Sequence, residues 1–221
     1  MDINSAIRER RSIRQFKKET VSEKIIQDIL ETARWAPSWG NTQPWEIYVI
    51  TGETLENFRR ENRQKTLEGI PPTPEVEMPQ TWPELLKKRY VGIGKSVLTS
   101  LSIPREDKHA RLQYSADMAS LFGAPCLLLL CVDKAIPISY AFLDVGLVLQ
   151  TICLSACDKG LGTCILAASV NYPQILRRLI NIPSNKTIVI GAAIGSPDTS
   201  APVNKFERER APLNEFVTWI K

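Results

Sequence analysis

Arg10-Arg11-Ser12-Ile13-Arg14 places three guanidinium groups and a hydroxyl within five positions. Guanidinium forks pair with phosphate oxygens, and a phosphomonoester carries about −1.5 to −2 charges at neutral pH. Each charge-assisted hydrogen bond is worth about 1.5–3 kcal/mol, so a few of them suffice to hold such a group. A solvated basic helix end is the competing reading of the same residues. Arg208 and Arg210 offer a second pair of the same kind near the C-terminus. Pro37-Ser38-Trp39-Gly40-Asn41-Thr42-Gln43-Pro44-Trp45 is different in character, a turn-rich loop carrying amide, hydroxyl and indole groups. That chemistry suits a flat heteroaromatic ligand with many hydrogen-bonding edges; the alternative is a helix-stopping loop with two packing tryptophans.

Protein groups able to catalyse a reaction unaided are scarce. There is one histidine, His109, and no Gly-x-Ser-x-Gly elbow to pair with it. Gly160-Leu161-Gly162 enters a strand pattern where a dinucleotide fingerprint opens a helix, and no Walker pattern occurs, so a Rossmann or P-loop site is disfavoured. Cys126, Cys131, Cys153, Cys157 and Cys164 sit in apolar runs far in sequence from His109. They read as reduced, buried thiols of a cytosolic protein rather than as metal ligands. A site with binding groups and no acid–base apparatus points to a cofactor that brings its own chemistry.

The elements that position these residues follow from periodicity. Asn4 or Ser5 is expected to cap a short helix to about Arg10, with Ile3, Ala6 and Ile7 on its apolar side. Ser22 caps a helix over 23–34 that Pro37 stops. Strands are expected at 46–50, 124–133, 164–169 and 187–194, and helices at 54–67, 85–101, 107–122, 139–159 and 173–180. Ser139–Lys159 is apolar on nearly every face and belongs in a core or a subunit interface. Between Pro71 and Pro83 fall five of the chain's 15 prolines. Residues 68–84 are therefore an irregular excursion from a single domain spanning 1–221, expected to lie over the surface as a lid or arm. The apolar cluster Phe216-Val217-Thr218-Trp219-Ile220 must dock somewhere. The interleaved charges and the net charge of +4 disfavour nucleic acid. Charged residues at 8–11 disfavour an export signal, and the longest clean apolar run, Ala124–Val132, is too short to span a membrane.

Taken in order, Arg10-Arg11-Ser12-Ile13-Arg14, Ala36–Trp45, Phe122-Gly123-Ala124-Pro125, Gly160-Leu161-Gly162-Thr163 and Arg208-Glu209-Arg210-Ala211-Pro212-Leu213 resemble the motif set of the FMN-dependent nitroreductase family. The resemblance implies an α+β fold with a central mixed or antiparallel sheet flanked by helices, in an intertwined homodimer. It further implies two FMN sites built from both chains. Arg10, Arg11, Ser12 and Arg14, joined by Arg208 and Arg210, would hold the phosphate and ribityl chain. Pro37, Ser38, Trp39, Asn41 and Gln43 would approach the flavin of the partner subunit, and Ile165, Leu166 and Ala167 would run beside the ring with backbone N–H groups toward its reactive edge. Arg89 is the candidate for the pyrimidine end. Ala167 stands where some members carry glutamate, and Trp39 where serine is common. The implied reaction is ping-pong: NADH or NADPH reduces the flavin, which then reduces a small aromatic acceptor such as a nitroaromatic or quinone. The same fold with another flavin reaction, such as reductive dehalogenation, flavin fragmentation or heterocycle oxidation, and a non-catalytic phosphate-ligand-binding protein are the alternatives.

Overall fold

The computed structural model describes residues 1–221. Four strands form one sheet: β1 (Trp45–Ile50), β2 (Cys126–Asp133), β3 (Gly162–Leu166) and β4 (Lys186–Gly195). Their order across the sheet is β1, β2, β4, β3, and every neighbouring pair is antiparallel. The expected mixed or antiparallel sheet is thus antiparallel, the one parallel contact being an isolated bridge from Ser12 to Thr163.

Successive side chains of β2 enter opposite layers, as strand geometry requires. Leu127, Leu129 and Cys131 meet Leu55 and Phe58 of α3 (Gly52–Leu67) and Ile175 and Leu176 of α7 (Pro173–Ile180). Leu128, Leu130 and Val132 meet Ile26, Ile29 and Ala33 of α2 (Glu23–Ala33) and Val145, Val148 and Ile152 of α6 (Ile138–Asp158). With both faces covered, β2 is buried almost throughout, which is why its sequence is apolar without alternation.

Three helices complete the fold: α1 (Ile3–Glu9), α4 (Glu84–Ser100) and α5 (Lys108–Ala119). The N-cap of α1 is Asp2, which accepts from Ser5 N at 3.1 Å, and not Asn4 or Ser5 as expected. A carboxylate at that point also complements the helix dipole. Ala6 is buried but Ile3 and Ile7 face outward. Ser22 caps α2 as expected; the helix ends at Ala33, well before Pro37, because Trp35 N and Ala36 N bond to the carbonyls of Thr32 and Ala33 and tighten the last turn. α5 stops at Ala119 rather than running to residue 122, since Leu121 and Phe122 adopt positive φ of 59° and 53°. The strand expected at 164–169 begins earlier, at Gly162, and gives way to a 3-10 turn over Ala167–Val170.

By length and composition α6 could cross a bilayer, yet eight of its residues, Asp144 among them, are buried against the rest of the chain. Residues 68–83 carry no helix or strand. They are tied down at three points: Tyr172 Oη donates to Ile70 O at 2.6 Å, Thr73 N to Asn171 O at 2.8 Å, and Arg177 holds Glu75 through Nε–Oε1 at 2.7 Å and Nη2–Oε2 at 2.9 Å. The tail cluster does not dock on its own chain: Phe216, Trp219 and Ile220 are exposed, the last two at 82% and 93%.

Candidate functional site

The segment 10–14 lies against the free edge of the sheet. Ile13 N donates to Thr163 O at 2.8 Å, and Ile13 packs so closely on Gly162 that a Cβ there would sit 2.4 Å from its Cγ1. Asn204, almost fully buried, clamps the other side. Its Oδ1 accepts from Arg14 N at 2.8 Å, and its Nδ2 donates to Gln15 O at 2.8 Å and Asp198 O at 2.9 Å. The C-terminal segment then folds back. Arg208 donates to the carbonyls of Arg8 and Arg10, and Arg11 to that of Phe206, whose ring lies 5.6 Å from the Arg11 guanidinium and 5.9 Å from that of Arg14.

The result is one cavity of about 190 Å³ lined by Arg10, Arg11, Ser12, Arg14, Arg208 and Arg210, with Ile93 and Phe206 as its apolar members. None of the five arginines is in an ion pair. Arg10 Nε is buried with no partner. Burial, reinforced by Arg14, lowers the pKa of Arg11; burial and then the charges of Arg11, Arg210 and Arg10 lower that of Arg208. Guanidiniums forced together without a counter-charge have a deficit that an anion with several acceptor oxygens would relieve. The volume is below the roughly 300–1,000 Å³ of pockets that enclose a whole ligand, so the cavity suits one charged end of a longer molecule.

Beside it runs β3, an edge strand. Thr163 turns its carbonyl away from β4 to meet Ile13, so alternation sends the N–H groups of Ile165 and Ala167 outward on the same side and the polar groups of Leu166 inward to β4. Ile165 and Ala167 are exposed, whereas the Leu166 side chain is in the core. A ligand whose charged end sits in the arginine cavity therefore finds a row of backbone donors next to it.

The loop at 37–43 does not line this cavity. It is a closed unit of its own: Gln43 N donates to Ser38 Oγ at 2.9 Å, Gln43 Nε2 to Asn41 O at 3.0 Å, and Gly40, Asn41 and Gln43 all have positive φ. Trp39 N donates to the buried Asp144 Oδ1 at 3.1 Å, and its ring meets Tyr140 of α6 at 5.7 Å. This bond anchors the loop to α6 and leaves the Trp39 indole 68% exposed. Arg89 is paired with Glu215 and so is not a free charge. A larger open cavity of about 510 Å³ between Glu75, Lys134, Arg177, Ser184 and Thr187 has its charges satisfied locally, Lys134 Nζ by Ser184 O and Arg177 by Glu75. Sequence reading missed Ile93, Phe206 and Asn204. Of these only Asn204 bears a signal in the sequence, a polar residue one position after the apolar Val203 and two before the aromatic Phe206.

The antiparallel sheet thus carries at its edge a cavity of arginines without a counter-charge, suited to an anionic group with several acceptor oxygens. Residues 7–196 match the family described as Nitroreductase family, and the chain belongs to it. It is 34% identical to the nitrobenzene nitroreductase of Ectopseudomonas oleovorans, over 99% of this chain and 96% of that protein. It is 32% identical to the chloronitrobenzene nitroreductase of Comamonas testosteroni over the same shares. The crystal structure of the FMN and NADPH-dependent nitroreductase NfnB from Sphigopyxis sp. strain HMH superposes with a TM-score of 0.95 at 28% identity, covering all of both chains.

Proposed function

We propose that this protein is an FMN-dependent NAD(P)H oxidoreductase that reduces small nitroaromatic compounds, and that it works as a homodimer. The carrying observation is the arginine cavity, with its unpartnered buried Arg10 Nε and no carboxylate to neutralise it. The phosphate of FMN fits this donor set in charge and in number of acceptors. Bound there, FMN supplies the two-electron transfer between nicotinamide and acceptor.

The chain's own groups bind, orient and exclude. Arg10, Arg11, Ser12, Arg14, Arg208 and Arg210 hold the phosphate and ribityl chain. Ile165 and Ala167 have outward N–H groups that would donate to a flavin ring lying along the sheet edge and would favour its reduced state. The Pro37–Gln43 loop, held off the same chain's cavity and exposing Trp39, is shaped to reach a neighbouring subunit. The nitroaromatic acceptor class is supported by the names of the relatives, and NADPH as a reductant by that of NfnB. Excursion residues 68–83 are fastened to the body of the chain at Glu75 by Arg177.

The test is direct. Purified protein supplemented with FMN and desalted should be yellow, bleach anaerobically with NADPH or NADH, and recover its colour with nitrobenzene. A colourless sample rejects the cofactor reading. A yellow sample that neither nicotinamide bleaches rejects the proposed reductant and keeps the cofactor.

A further inference from the structure

Two buried polar side chains near β3 are unused by the cofactor site, and both act on the turn that carries Ala167. Ser169 is fully buried, and its Oγ donates to Leu166 O at 2.6 Å. Asn62 of α3 is also fully buried; its Nδ2 donates to Ala168 O at 2.9 Å and to Ala119 O at 2.6 Å. Both partners of Asn62 are carbonyls, so the amide nitrogen must face them, and Oδ1 is left buried with no partner. An unsatisfied buried acceptor is costly, and an apolar residue would fill the space without that cost. The two carbonyls that flank Ala167 are therefore each gripped by a side chain.

Peptide geometry turns this grip into a direction. No cis peptide bond occurs in the chain, and a trans peptide is planar with its C=O and N–H antiparallel. Fixing Leu166 C=O inward on Ser169 fixes Ala167 N–H outward, on the side of the free sheet edge. Fixing Ala168 C=O on Asn62 holds the 168–169 peptide as well, so the single peptide left between the two, 167–168, is bounded on both sides by a held one. Gly191 opposite makes room for the arrangement, since a Cβ there would lie 2.3 Å from Ser169 Oγ and 2.8 Å from Leu127 Cδ1.

We propose that Ser169 and Asn62 are positioning residues that aim the Ala167 N–H at the reactive edge of the bound flavin ring and so tune its reduction potential. The inference rests on the FMN reading above. Neither residue lines the arginine cavity, so the phosphate grip is independent of both.

The experiment compares FMN affinity, midpoint potential and thermal midpoint in the wild-type holoenzyme, Ser169→Ala and Asn62→Leu. Expected for Ser169→Ala is an FMN Kd within about twofold of wild type, distant sites being close to additive. The ratio of reduced- to oxidised-flavin affinity should fall about tenfold, read as a potential about 30 mV lower for a two-electron couple. Asn62→Leu should move the potential in the same direction. A lowered thermal midpoint with an unchanged potential in both variants overturns the proposal and leaves the residues a purely structural role. If Ser169→Ala does not fold, Ser169→Cys keeps the shape and a weaker donor; it should give an intermediate potential, and a wild-type value rejects the proposal. Failure of the FMN reading is seen earlier and separately, as a wild type that retains no flavin.

Discussion

At the residue scale the cavity joins charges that lie some two hundred positions apart in the chain, and what holds them is carbonyl oxygen rather than carboxylate. Arg208 is fixed by the carbonyls of Arg8 and Arg10, and Arg11 by that of Phe206, so the positive charge stays available. Arg14→Ala removes one guanidinium without touching the Asn204 clamp, which acts through the backbone of residue 14. The loss of about 1.5–3 kcal/mol for a charge-assisted bond corresponds to an FMN Kd raised about 10- to 100-fold. A fluorescence-quenching titration measures it, with the exposed Arg105→Ala as the control; equal affinities in Arg14→Ala and the control sink the phosphate assignment. The cysteines give a second residue-level prediction. Burial pushes the thiols of Cys126 and Cys131 up to about 12 and that of Cys164 to about 11. At pH 8 a thiol reagent should modify none of these in the folded protein, and only the half-buried Cys157, raised by burial and then by Glu9, should react slowly. Mass mapping of modified peptides before and after unfolding decides it. The arginines were legible because their type limits their chemistry. Ile93 and Phe206 were not, because an apolar residue shows no sign in sequence of whether it lines a cavity or fills a core.

At the element scale the site depends on two close fits. Gly162 lets segment 10–14 reach the sheet edge, and Gly162→Ala would drive a methyl into Ile13. We expect weakened FMN retention together with destabilisation of about 1–3 kcal/mol, the usual cost of overpacking, read from denaturant melts and flavin titration of the same sample. The second fit is the strap on the excursion. Burial raises the Glu75 pKa, but bonds from Arg177 and Ile188 N outweigh it, so the carboxyl is held below its ordinary value. A depressed folded pKa contributes stability above the unfolded value and loses it as pH falls through the folded one. The strap should therefore release below about pH 4.5, the ordinary glutamate range. Glu75→Gln should abolish that acid-side loss and cost about 1 kcal/mol at pH 7, the pair being partly exposed. Proteolysis between residues 70 and 83 as a function of pH reports it, and a pH-independent cleavage rate in wild type contradicts it. Helices and strands were largely legible, since β2 declares itself by an unbroken apolar run and α6 by apolar residues on nearly every face. Their ends were less so. Asp2, which caps α1, and the left-handed Leu121 and Phe122, which end α5, depend on local bonds and packing that periodicity does not encode.

At the scale of the whole molecule the surface is larger than a compact chain of this mass exposes, and it carries large apolar side chains. A compact monomer of 24.9 kDa exposes roughly 10,200 Å². This chain exposes 13360 Å², about 3,000 Å² more, an excess on the scale of obligate dimer interfaces. The excess carries Ile3 and Ile7 of α1, Tyr140, Leu143 and Leu147 of α6, and the tail from Leu213 to Ile220. The sequence expectation that the tail must dock and that α6 belongs to a core or an interface thus resolves into halves: one face of α6 fills the chain's own core, and the other, like the tail, is left bare. Leu143→Glu separates the two accounts of that bare face. On a monomer surface the substitution is nearly neutral, within about 0.5 kcal/mol. In a dimer interface it buries an unpaired charge and costs several kcal/mol of association free energy. Sedimentation at micromolar concentration should give twice the chain mass for the wild type and a single chain for Leu143→Glu. The variant should also lose flavin, because the Pro37–Gln43 loop of a partner would no longer close its site. A wild type sedimenting as one chain, or a variant that keeps both its mass and its flavin, rejects the dimeric site.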